Sequence, residues 1–76
     1  MPEYDFELDA SGLNCPLPIL RAKKVLSHMQ SGQILKVIST DPGSVKDFQA
    51  FSRQTGNPLL SVTSQGGQST FVLQKS

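Results

Sequence analysis

Residues 10–18 read Ala10-Ser11-Gly12-Leu13-Asn14-Cys15-Pro16-Leu17-Pro18, and the two prolines mark where an extended chain must become a helix. Inside a helix a proline loses a backbone hydrogen bond and clashes with the preceding turn. In the first turn the N–H has no helical partner to lose, and the first helical position favours proline. The stretch therefore predicts a helix opening at about Pro16 with Cys15 as its N-cap. Upstream, Tyr4, Phe6 and Leu8 alternate with Asp5, Glu7 and Asp9, which is the two-residue period of a half-buried strand. Ala10-Ser11-Gly12 ends it. Downstream the helix runs to about Gln30, with Gly32 as its C-terminal cap.

The rest of the chain falls into place around this transition. Ile34 to Ser39 is short, apolar and β-branched, so it reads as a second strand, followed by the turn Thr40-Asp41-Pro42-Gly43. Ser44 with Asp47 three residues on forms a variant capping box that opens a second helix. Val45, Phe48 and Phe51 line one stripe of that helix, and Gly56 ends it. A third strand is expected over Leu59 to Ser64. Gln65-Gly66-Gly67-Gln68 is a hairpin signal, and a fourth strand follows over Thr70 to Lys75.

The order β-α-β-α-β-β, with a single apolar stripe on each helix, predicts an α+β two-layer sandwich. Both helices should lie on one face of a mixed four-stranded sheet. A right-handed first crossover makes strands one and two parallel. It puts residues 12–16 and 40–44 at the same sheet edge, where open α/β sheets usually place their chemistry.

Composition narrows the function classes. Seventy-six residues allow one domain, 1–76, and no second core. One cysteine and one histidine, His28, allow neither an internal disulfide nor a four-ligand zinc site, so no metal or cofactor is expected. A lone cysteine behind an acidic N-terminus unlike a signal peptide predicts a cytoplasmic protein, and no apolar run is long enough to span a membrane. A net charge of +1 argues against direct nucleic-acid binding. The charges are nonetheless segregated. Glu3, Asp5, Glu7 and Asp9 precede a basic block of Arg21, Lys23, Lys24 and Lys36, arranged either as solvated faces or to steer a partner.

Cys15 is the candidate for chemistry. Cysteine is a poor N-cap compared with Ser, Thr, Asp or Asn, and at this position the helix dipole should stabilise an anion and lower the thiol pKa. A persulfide anion would be held by the same field. The plainer alternative is a small, inert, half-buried thiol. Thioredoxin-like exchange is excluded because Pro18 stands where a second cysteine would be. His28 lies roughly 18 Å along the helix and cannot act as a base. What remains is a thiol that accepts a group and passes it on.

Ile19, Ala22, Val25, Leu26 and Met29 share one helical stripe facing the sheet, which leaves Leu17 and Leu20 on the solvent side among Arg21, Lys24 and His28. That is either an apolar docking patch with a basic rim or an ordinary pair of exposed leucines. Asp41 either shapes its turn with Pro42 or serves at the Cys15 edge.

Gly12-Leu13-x-Cys15-Pro16-x-Pro18, Lys23-Lys24, Met29-x-x-Gly32, Thr40-Asp41-Pro42 and the Gly66-Gly67 hairpin together resemble the TusA/SirA-like family of sulfur carriers over nearly the whole chain. The resemblance implies that Cys15 takes a persulfide sulfur from a cysteine desulfurase or rhodanese-like donor and relays it to an acceptor protein. It also implies that Asp41 takes part in the relay. The family's pathways include tRNA 2-thiouridine synthesis, sulfur oxidation and molybdenum-cofactor synthesis. Members of the tRNA-thiolating type carry arginine and glutamate where this chain has Asn14 and Leu17. The competing expectation is a regulatory or RNA-binding module, since a similar fold serves in translation. A monomer is expected.

Overall fold

The computed structural model describes residues 4–76; Glu3, part of the acidic block, lies outside them. The elements are β1 (Phe6–Ala10), α1 (Leu17–Ser27), β2 (Ile34–Ser39), α2 (Ser44–Thr55), β3 (Leu59–Gln65) and β4 (Gln68–Gln74). The sheet order is β1-β2-β4-β3. β1 and β2 are parallel, from Phe6 opposite Leu35 to Ala10 opposite Ser39. β4 runs antiparallel to both β2 and β3. This is the expected mixed four-stranded sheet with two helices, and β1 and β2 end at the same edge.

The core lies between the sheet and the helices. Leu35 and Val37 of β2 meet Phe71 and Leu73 of β4, with Ala22 and Leu26 of α1 and Met29 just beyond it completing the core. From α2, Phe48 stacks on Phe71 with ring centroids 4.4 Å apart and meets Phe51 edge-on at 6.4 Å. Pro18 is buried as well, so it packs as part of the core besides marking the helix start. At the hairpin, Gly66 and Gly67 have φ of 59° and 79°, the two positive values that a tight type I′ turn demands. That turn lets the ladder begin at Gln65 opposite Gln68, earlier than the fourth strand was expected to start.

Four expectations are corrected. α1 ends at Ser27 with His28 as its C-cap. Gly32 does not cap it, because its N–H donates to the Lys75 carbonyl at 2.8 Å and clips the following turn to the end of β4. The N-cap of α1 is Pro16, so Cys15 stands one residue outside the helix. The Ser44–Asp47 capping box does not form; Gly43 is the N-cap of α2, with no side-chain capping bond. Ser44 is already helical, and its hydroxyl turns inward to bond Ser39 at 2.6 Å. Finally, Tyr4 does not share the face of Phe6 and Leu8. The chain bends at Asp5, and the Tyr4 ring lies 5.1 Å from the ammonium of Lys36, which pairs with Glu7 at 3.8 Å on the helix-free face.

Candidate functional site

Three chain segments meet at the edge where β1 and β2 end. The first is the loop carrying Cys15. Gly12 adopts φ +80° and donates its N–H to the Thr40 hydroxyl at 2.8 Å, which ties this loop to the one after β2. Leu13 N–H returns to the Ala10 carbonyl, and Leu17 N–H bonds the Asn14 carbonyl at 2.8 Å. Between these anchors Cys15 is exposed. The thiol is presented to solvent on a braced loop and is more exposed than the half-buried position of the plainer alternative.

The second segment is the turn after β2. Asp41 donates its N–H to Ser39 Oγ at 3.2 Å, and its carbonyl accepts from Ser44 N–H at 3.1 Å. Its carboxylate points back toward the Cys15 loop, and one oxygen, Oδ2, is buried without a hydrogen-bond partner. A side chain at Gly43 would place its Cβ 3.3 Å from that oxygen. Asp41 therefore shapes the turn and also faces the thiol.

The third segment is the first turn of α2, which contributes Asp47. The Cys15 sulfur and one carboxylate oxygen from each of Asp41 and Asp47 lie within 4.8 Å of one another. The three donors include no imidazole and fall short of the four-ligand tetrahedron of a structural zinc site, and two of them set carboxylates beside the thiol. Cys15 and Asp47 also line a groove of about 200 Å³ between the helices, with Pro16, Ile19, Ala50 and Phe51 as its apolar walls.

These neighbours reverse the expected ionisation. The Cys15 thiol is pushed up from its ordinary range, chiefly by its hydrogen-bonding interaction with Asp47, then by partial desolvation, then by the charges of Asp47 and Asp41. Few backbone donors remain free at the helix start. Pro16 and Pro18 contribute no N–H, while those of Leu17 and Leu20 are engaged by the Asn14 and Pro16 carbonyls.

The remaining candidates separate cleanly. Leu17 and Leu20 are 43% and 53% exposed on the outer side of α1, and Arg21 and Lys24 are exposed on the same helix. His28 closes the far end of α1, away from the thiol. Asp47 was missed as a site residue because its spacing from Ser44 suggested a cap. A signal was present: Ser44, Asp47, Phe48 and Phe51 follow the i, i+3, i+4, i+7 spacing of one helical face, which puts a carboxylate on the inward stripe.

Comparison with known proteins agrees with this architecture. The family model described as Sulfurtransferase TusA matches residues 6–75. A sulfur carrier protein TusA of Allochromatium vinosum is 64% identical over 76 residues, covering both chains completely. A putative sulfur carrier protein of Neisseria meningitidis is 57% identical over 67 residues, covering 88% of this chain and 90% of its own. The crystal structure of a SirA-like protein from Desulfitobacterium hafniense superimposes with a TM-score of 0.81 at 24% identity, covering 92% of this chain and 96% of that one. That last likeness is one of fold.

Proposed function

The chain belongs to the TusA sulfurtransferase family, and on that premise we propose that it is a sulfur carrier with Cys15 as the sulfur-bearing residue. The observation that carries this reading is the chain's single cysteine, exposed at the head of α1 on a loop that hydrogen bonds hold in place. No second thiol exists to resolve a disulfide, and the one imidazole is at the other end of the helix. Such a thiol can receive and hand on a group but cannot complete a hydrolytic or redox cycle alone.

In the accepting step, the Cys15 thiolate attacks the terminal sulfur of a persulfide on a donor of the cysteine desulfurase or rhodanese type. A new S–S bond forms on Cys15 and the donor's own S–S bond breaks. The donor cysteine leaves as a thiolate and takes up the proton that Cys15 released. The numbers of S–S bonds and of electrons are unchanged, so no oxidant or reductant is consumed. Delivery repeats the exchange with a downstream acceptor protein.

The exposed Leu17 and Leu20, rimmed by Arg21 and Lys24, supply an apolar and basic face for both encounters. The neutral Asn14 and Leu17 beside the thiol suit an acceptor outside the tRNA-thiolating machinery at least as well as one within it. A reduced single thiol fits a cytoplasmic setting, and no helix among the described residues is long and apolar enough to cross a membrane.

Intact-mass spectrometry after incubation with a cysteine desulfurase and cysteine tests the reading. The expected result is a reductant-labile gain of one sulfur atom on the wild type and none on Cys15→Ser. No gain from this donor, nor from a rhodanese with thiosulfate, would overturn it.

A further inference from the structure

Asp47 is the one charged side chain lining the groove that Cys15 fronts. Although it stands in the first turn of α2, no side chain caps that helix. The one ion pair found among the described residues joins Lys36 to Glu7 on the opposite face of the sheet. The thiol thus faces Asp41 from the β2–α2 turn and Asp47 from α2. The other walls, Pro16 and Ile19 from the α1 side and Ala50, Phe51 and Gln54 from α2, are uncharged.

We propose that Asp47 is a positioning residue for the sulfur-accepting step, holding the Cys15 thiol in its protonated form until the Asp47 charge is removed or countered. This rests on the carrier reading of Cys15. A thiolate formed here would lie close to two carboxylates, and like charges disfavour the ionised form. The apolar walls keep water from one side of the cluster, so solvent screens the repulsion incompletely. Asp41 adds a second carboxylate to the cluster, with its Oδ2 buried and without a hydrogen-bond partner. The raised thiol, with Asp47 as first cause, agrees in direction. The free carrier thereby keeps its nucleophile in reserve, and the nucleophile becomes available when the local charge changes.

The test is the pH profile of Cys15 alkylation by iodoacetamide in the full chain, for the wild type, Asp47→Asn and Asp47→Glu, with folding checked by circular dichroism. Asp47→Asn is expected to move the midpoint to lower pH and raise the rate at neutral pH several-fold, while Asp47→Glu stays close to the wild type. An asparagine profile that coincides with the wild type or moves to higher pH overturns the proposal. So does a glutamate variant that behaves like the asparagine one, because shape and not charge would then be responsible.

Should Asp47→Asn fail to fold, added salt decides on the wild type. Screening should lower the midpoint, and a salt-independent midpoint refutes the charge argument. Alkylation requires no sulfur donor. A failure of sulfur loading by mass and a failure of the Asp47 control are therefore read separately.

Discussion

Ser39 and Ser44 are 0% and 1% exposed, and their hydroxyls share a hydrogen bond of 2.6 Å between the last residue of β2 and the first of α2. Replacing either by alanine leaves the partner hydroxyl buried and unpaired, a cost of about 1–3 kcal/mol. Ser39→Ala should cost more than Ser44→Ala, because Ser39 Oγ also accepts the Asp41 N–H. Replacing both removes both stranded groups, so the double variant should be less destabilised than the sum of the singles by about 1 kcal/mol. A domain of this length holds on the order of 4–11 kcal/mol in total, so each single change is a large fraction of the whole. Urea unfolding followed by far-UV circular dichroism is the assay, since the chain has no tryptophan. With a slope near ~1 kcal/mol/M, a loss of ~2 kcal/mol lowers the midpoint by about 2 M. Strict additivity of the two changes, within about 0.3 kcal/mol, would refute the reasoning that the hydroxyls form one coupled brace.

Two further outcomes follow from local geometry. Gly56, at φ +77° as the C-cap of α2, has open space where a Cβ would sit; Gly56→Ala should therefore cost about 1–2 kcal/mol through backbone conformation alone, and Gly56→Asn less, as thermal unfolding would show. The Asp9 carboxyl is held below its ordinary range, first by the Ser11 hydroxyl and then by the Ser11 N–H, which donates at 3.0 Å. A carboxyl depressed in the folded state contributes stability above its unfolded value of about 3.9 and loses it as pH falls through the folded value, so the wild type should weaken relative to Asp9→Asn on acidification. Parallel pH curves for the two would contradict this.

How much was legible from the chain depended on whether a residue's role is local. The proline pair, the alternation of Phe6 and Leu8 and the Gly66-Gly67 turn act through their own backbone and neighbours, and they delivered the element order and sheet type. The inward stripe of α1 was equally readable, because helical period alone selects Ala22 and Leu26, while Met29, expected on the same stripe, is buried just past the helix end. The errors came where a distant partner competed for a group. Ser44 was expected to cap its helix but bonds Ser39 across the sheet edge, and Gly32 answers to Lys75, not to the helix before it. Cys15 stood out in the sequence as the candidate for chemistry, and it is exposed in the fold. Its ionisation was not legible there, since the helix start was visible locally while the carboxylates of Asp41 and Asp47 arrive from 26 and 32 residues away.

The restraint on the thiol therefore belongs to the folded chain alone. Before β2 and α2 have docked, Cys15 is an ordinary cysteine, open to oxidation and stray electrophiles at its unshifted ionisation. Once they dock, it is quieted without being covered. Because the folded state keeps the thiol proton more firmly, this contribution to stability is present at neutral pH and is lost as pH climbs through the folded thiol's raised value. The rate at which a small electrophile finds Cys15 thus also reports folding, and an immature carrier betrays itself by reacting too readily.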